Sequence, residues 1–261
     1  MLALAVLVRL IEPSFAFFPL TGETVTPRDL GLSYQAETIT TSDGERLRAW
    51  RIDAGKPRPR IIYFHGNGGN LSIWAPIVGN IARHGYSVLA FDYRGYGLST
   101  GRPSERGLYR DVEAVISSMM SDDERFTPIV FWGRSLGTTM AAYAASVKRP
   151  DGLILESGFP DARALVRSSP PLALLALFST YRFPTVELLN RVRAPVLVMH
   201  GDADTVIPFI LGHELYDRLT APKQFFVVNG GDHNDVEAPD EQAYWNTVDR
   251  FIEHIAASAK R

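Results

Sequence analysis

The tightest constraint on this chain is thirteen residues long: Pro128-Ile-Val-Phe-Trp-Gly-Arg-Ser-Leu-Gly-Thr-Thr-Met140. Its apolar start, 128–132, predicts a buried strand. Gly133-Arg-Ser-Leu-Gly137 follows at once, and residues 138–145, rich in small side chains, predict a helix. A strand, a G-x-S-x-G turn and a helix fit together only if the turn is very tight. Gly133 and Gly137 leave room for strand and helix to approach where a side chain would block them. Ser135 is then forced outward at the rim of a sheet. Its hydroxyl sits at a helix N-terminus, where backbone N–H groups favour negative charge. The bland alternative is a serine that only caps the helix, but the strand–turn–helix context favours a nucleophile.

The rest of the chain alternates in the same way. Residues 36–41 and 46–52 flank Ser42-Asp-Gly44 and predict a hairpin. Short apolar runs at 60–65, 87–91, 152–156, 195–200 and 224–228 predict buried strands. Between them, helices are expected from Gly66-Asn-Gly-Gly-Asn70 to about 84, then over 105–120, 209–219 and 241–257. Buried strands alternating with helices imply an α/β fold. Its eight-stranded, mostly parallel sheet has helices on both faces and the hairpin at one edge. Residues 157–190 break the rhythm with four prolines and the apolar run 172–178. They predict a short lid, with 172–178 either lining an acyl pocket or packing as a helix on the core.

Composition narrows the chemistry. At 261 residues the chain is one large domain over 21–261. The formal charge of −2 and the absence of a basic block argue against nucleic acid as a partner. With no cysteine, disulfides, thiolate metal sites and cysteine nucleophiles are excluded. There is no HExxH or other metal-ligand cluster, so neither a metal nor an organic cofactor is implied. Residues 1–20 are apolar but interrupted by Arg9 and Glu12, too short a run for a spanning helix. They read as an amphipathic segment packed on the domain or as an anchor making contact with a membrane surface.

In an open parallel sheet the ligand crevice lies beyond the carboxyl ends of the strands. Every candidate chemical group follows such a strand. A serine hydroxyl needs a general base. His233, in Asn229-Gly-Gly-Asp-His-Asn-Asp235, is the best placed of six histidines. His65 and His200 end strands and read as structural histidines, whereas His84, His213 and His254 lie on predicted helices. The histidine needs a carboxylate to fix its tautomer. Asp202 and Asp204 compete in Gly201-Asp-Ala-Asp204. Asp204 is favoured, because a residue deeper in the loop can arch toward His233 while Asp202 caps the turn. Oxyanion donors are expected at the Leu136 N–H and, in the glycine-rich loop after residue 65, at the Asn67 N–H. The plain reading of those glycines is a tight turn into a helix. Asp92 and Arg94 are expected to brace their loop. Arg134 is expected to brace or lie at the surface rather than to bind a leaving group.

Five motifs taken together resemble the α/β-hydrolase superfamily along roughly 30–257. They are His65-Gly-Asn-Gly-Gly69, Asp92-Tyr-Arg-Gly-Tyr-Gly97, Gly133-Arg-Ser-Leu-Gly137, Gly201-Asp-Ala-Asp204 with Val206-Ile-Pro208, and His233-Asn-Asp235. The combination is similar to a branch of single-domain serine hydrolases, often carrying an N-terminal membrane anchor. That branch includes protein depalmitoylases and lipid hydrolases. The resemblance implies catalytic Ser135, Asp204 and His233, with an oxyanion hole at Asn67 and Leu136. It also implies cleavage of an ester or thioester in a small-molecule or lipid-like acyl substrate. The rivals are a peptidase or perhydrolase on the same fold, and a ligand-binding module without catalysis. Asp232 departs from the pattern, since a small residue usually precedes that histidine, and a carboxylate there is expected to favour the protonated imidazole.

Overall fold

The computed structural model describes residues 13, 16–55, 59–120, 128–168, 180–235 and 239–258. The apolar segment 1–12 and the run 172–178 lie outside them. Ten strands can be named in chain order: β1 Phe18–Pro19, β2 Gln35–Thr40, β3 Arg46–Ile52, β4 Arg60–Phe64 and β5 Gly68–Gly69, then β6 Ser87–Phe91, β7 Ile129–Arg134, β8 Gly152–Glu156, β9 Val196–Gly201 and β10 Lys223–Val228. Eight of them form one sheet in the order β10-β9-β8-β7-β4-β6-β3-β2. From β6 to β10 every neighbouring pair is parallel. The hairpin β2–β3 joins that edge antiparallel. The two-residue strands β1 and β5 pair separately, aligning Phe18 with Gly68 and Pro19 with Gly69.

The continuous apolar strands follow from burial on both faces. In β4, Ile62 and Phe64 join one core while Ile61 and Tyr63 join the other. The first core is covered by helices α2 (Glu105–Met120), α3 (Leu136–Val147) and α6 (Phe209–Asp217). The second is covered by α1 (Leu71–Arg83) and α7 (Glu241–Ser258). On α2 the buried side chains Leu108, Val112, Val115, Ile116 and Met119 keep helical spacing. Each such side chain stabilises the fold by about 1.5–3 kcal/mol on burial. Helix α3 instead is small-sided nearly all round, with Gly137, Ala141, Ala142, Ala144 and Ala145 buried. It packs against β7, β8 and β4. Two short helices, α4 (Ala162–Arg167) and α5 (Thr185–Leu189), occupy the described parts of 157–190.

Sequence and structure differ at the start of α3. The sequence places the helix from residue 138, but it begins at Leu136, directly after Ser135. The turn is so short that Leu136 and Gly137 already belong to the helix.

Candidate active site

The sharp turn at Ser135 is built by its neighbours. Ser135 has φ 56° and ψ −122°, a conformation rarely adopted by a residue with a side chain. Its N–H donates to the Glu156 carbonyl at 2.9 Å, and its own carbonyl accepts from the Thr138 hydroxyl at 2.6 Å. A Cβ on Gly133 would lie 2.1 Å from the Gly137 carbonyl oxygen. One on Gly137 would lie 1.9 Å from that of Phe64. Both positions therefore require glycine, and the close approach points Ser135 away from the sheet.

Three loops beyond the carboxyl ends of β7, β9 and β10 bring together Ser135, Asp204 and His233. His233 Nε2 lies 3.2 Å from Ser135 Oγ, and its Nδ1 lies 2.8 Å from Asp204 Oδ2. With the proton on Nδ1, the imidazole donates to the carboxylate and accepts from the serine hydroxyl. Asp204 Oδ1 is occupied by the N–H groups of Val206 at 2.9 Å and Ile207 at 2.7 Å. Burial opposes ionisation of Asp204, but hydrogen bonds from His200, His233 and the Ile207 N–H hold its carboxyl well below the usual range. It is therefore an anion at neutral pH.

The choice between the two aspartates has a structural reason. Asp202 does not cap its own turn, as the sequence suggests; its Oδ1 accepts the Gly230 N–H at 2.6 Å and ties the acid loop to the histidine loop. Asp232 makes a second such tie. Its Oδ1 accepts the Thr205 N–H and hydroxyl, each at 2.7 Å, so this carboxylate is committed to Thr205. Those bonds lower its pKa.

The loop after β4 lies against Ser135, where a Cβ on Gly66 would stand 3.3 Å from Ser135 Cβ. The Tyr96 hydroxyl donates to the Asn67 carbonyl at 2.9 Å and contacts its Oδ1 at 3.0 Å, fixing this loop. Leu136 is the first residue of α3, where a backbone N–H has no intrahelical acceptor. Asp92 and Arg94 brace, as expected. Asp92 Oδ1 accepts the Leu71 N–H at 2.8 Å at the start of α1. Buried Arg94 joins Asp111 of α2 at 2.8 Å and Asp43 of the hairpin turn at 2.9 Å.

Two residues carry more than their sequence reading gave them. Arg134 is buried rather than at the surface, with Nη2 donating to the His233 carbonyl at 2.6 Å. His200 is the second imidazole at Asp204, 3.3 Å from Oδ2.

Comparison with known proteins agrees with this fold. Residues 59–184 match the family model described as alpha/beta hydrolase fold. The chain is 34% identical over 203 residues to the lysophosphatidylserine lipase ABHD12 of Rattus norvegicus, covering 68% of this chain and 49% of that one. It is 32% identical over 229 residues to the alpha/beta hydrolase domain-containing protein 17C of Xenopus tropicalis, covering 81% of this chain and 71% of that one. Among solved structures, an esterase of Pyrococcus furiosus superposes with a TM-score of 0.76 at 22% identity, over 92% of this chain and 98% of the other. By its sheet order, its serine turn and these relatives, the chain belongs to the α/β-hydrolase family.

Proposed function

We propose that this protein is a serine hydrolase that cleaves carboxylic ester or thioester bonds of lipid-like acyl substrates. The reading rests on one observation above all: the unbroken contact from Ser135 Oγ through His233 to Asp204, at 3.2 and 2.8 Å. Membership of the family supports hydrolysis as the reaction class, and the lipase among its relatives supports an acyl substrate.

Ser135 Oγ attacks the acyl carbonyl while His233 Nε2 removes its proton. The carbonyl oxygen becomes an anion that accepts the N–H groups of Leu136 and Asn67. Asp204 holds the proton on Nδ1 and stabilises the imidazolium. When the tetrahedral adduct collapses, the bond to the alcohol or thiol breaks and His233 returns the proton to that leaving group. The acyl chain stays on Ser135. Water, deprotonated by His233, then attacks the acyl-enzyme; collapse breaks the bond to Ser135 Oγ, which takes the proton back from His233 as the carboxylic acid leaves.

Exposed apolar side chains beside the oxyanion loop support a lipid-like substrate. The Leu20 N–H donates to the Gly69 carbonyl and the Gly97 N–H to the Leu20 carbonyl, both at 2.8 Å. Phe18, Leu20, Ile73 and Leu98 are each more than half exposed and gather on this small piece of backbone. Soluble monomers rarely expose such clusters without a use for them.

The test is covalent labelling by a fluorophosphonate together with turnover of p-nitrophenyl esters. Ser135→Ala is expected to abolish both. Undiminished turnover by that variant would assign the chemistry to another residue. A panel of short- and long-chain esters and acyl-thioesters then ranks the substrates.

A further inference from the structure

We propose that His200 is a positioning residue for the acid of the relay, so that one carboxylate is held between two imidazoles. This rests on the reading of Ser135, His233 and Asp204 given above.

His200 is the penultimate residue of β9 and is completely buried. Its Nε2 lies 2.9 Å from the Ile207 carbonyl oxygen and 3.3 Å from Asp204 Oδ2. Both oxygens are acceptors, so Nε2 carries the proton and divides it between them. Nδ1 is buried and has no hydrogen-bond partner among the described residues. That leaves a bare nitrogen on the far side of the ring.

The consequence for Asp204 is specific. The Ile207 backbone is held on both sides: its N–H donates to Asp204 Oδ1 and its carbonyl accepts from His200. The loop that carries the acid is thereby locked into one shape. On the other oxygen, Oδ2, the His233 Nδ1–H at 2.8 Å shares the charge with the His200 Nε2–H. His200 thus fixes where Asp204 points and lowers the negative charge that His233 meets.

The surroundings leave the ring no room to turn. Helix α6 passes so close that a Cβ on Gly212 would lie 2.0 Å from His200 Nδ1. Phe209 of the same helix meets the ring edge-on, at 5.9 Å between centroids. A glycine inside a helix weakens it, and the imidazole accounts for this one.

The other charged groups around the relay are engaged elsewhere. Asp202 accepts the Gly230 N–H and Asp232 accepts Thr205. Asp235 accepts the Asp232 N–H at 3.1 Å. Arg134 donates to the His233 carbonyl and faces Glu156. His213 of α6 pairs with Asp217 at the surface.

The test compares His200→Leu with His200→Gln in the pH profile of kcat/KM on a p-nitrophenyl ester. Leu removes the N–H. The full carboxylate charge then falls on His233 and favours its protonated form. The Leu variant is expected to lose about tenfold in kcat/KM at pH 8, and its acid limb is expected to move up by roughly half a pH unit. Gln offers an amide N–H near the position of Nε2. It is expected to keep the wild-type limb and recover to within about threefold. Gly212→Ala, which displaces the ring without touching the reacting atoms, is expected to move the limb in the same direction as Leu. It also serves if the Leu variant does not fold. A uniform loss at every pH with an unmoved limb would reduce His200 to packing, as would a Gln variant as impaired as Leu. Fluorophosphonate labelling of each variant separates the two readings: loss of the His200 effect leaves Ser135 labelled, whereas an error in the underlying reading leaves wild type unlabelled.

Discussion

Arg134 and His233 are 99 residues apart, yet the guanidinium of the first donates to the carbonyl of the second at 2.6 Å. The same guanidinium lies 3.6 Å from Glu156 Oε1 and 5.8 Å from the centre of the Trp74 ring. Glu156 is fully buried and also accepts the Trp132 indole N–H at 3.1 Å. One cation therefore joins β7, its neighbour β8 and the loop of His233. Removing it strands a buried carboxylate and frees the His233 loop. Arg134→Met is expected to cost about 3–5 kcal/mol of stability, because the carboxylate is left without its partner. Arg134→Lys keeps a charge but not the planar fork and should fall between. In the double variant with Glu156→Gln, much of the stability loss should return, but turnover should not. Urea unfolding and kcat measured on the same samples decide this. Equal stability of the Met variant and wild type would remove Arg134 from the framework.

The backbone at Ser135 makes a second expectation. Ala and Gly at position 135 both lack the hydroxyl, so neither should turn over an ester. They differ in Cβ, which is strained at φ 56°. Ser135→Gly is expected to be more stable than Ser135→Ala by about 1 kcal/mol, the low end for a residue held at positive φ. Elsewhere in a protein the order is reversed, since glycine loses more entropy on folding. Thermal unfolding of the two variants reads the difference directly, and a more stable Ala variant would count against stored strain.

Most of the sheet was legible because burial on two faces leaves continuous apolar runs. β6 and β8 fall on the expected residues, 87–91 and 152–156. That Ser135, Asp204 and His233 would lie near one another was legible because each follows a strand. The partners of Arg134 and His200 were not. Glu156 stands opposite Arg134 only through the register of β7 on β8, and a charge beside Ser135 reads equally well as surface. His200 lies near the end of its strand, as a structural histidine can. Its bonds to Ile207 and Asp204 exist only after the loop has closed, and spacing along the chain does not encode that closure.

Glu23 gives a pH-dependent expectation away from the chemistry. Burial opposes its charge, but hydrogen bonds from Arg48 and Trp50 and the charge of Arg48 outweigh this and lower its pKa. Arg48 grips it with two nitrogens at 2.8 and 2.7 Å, and the Trp50 indole N–H adds a third bond at 2.9 Å. A carboxyl with a lower pKa folded than unfolded contributes stability above the unfolded value. That contribution disappears as pH falls through the folded one. Glu23→Gln should therefore be less stable than wild type at pH 7 by about 1 kcal/mol, allowing for solvent screening. The gap should close in acid. Urea midpoints at pH 7 and pH 3 test the sign, and a gap that persists unchanged at pH 3 would mean packing, not charge.

The apolar cluster beside the loop after β4 separates access from chemistry. Leu20, Ile73 and Leu98 are exposed, and none of them belongs to the relay. If they deliver a lipid-like substrate or rest on a membrane surface, their loss should matter only when the substrate sits in an interface. The triple variant Leu20→Ser, Ile73→Ser, Leu98→Ser removes three side chains, each worth up to about 1.5–3 kcal/mol when taken from water. Partial insertion realises only a fraction of that, so about a tenfold loss of turnover on long-chain ester presented in vesicles is expected. Hydrolysis of a soluble short-chain ester should stay within about twofold of wild type, a change of less than 1 kcal/mol in the barrier. Co-sedimentation with the vesicles should fall in parallel. Equal losses on both substrates would place these side chains in the folding or the chemistry of the site, and undiminished vesicle turnover would show that the acyl chain enters by another side.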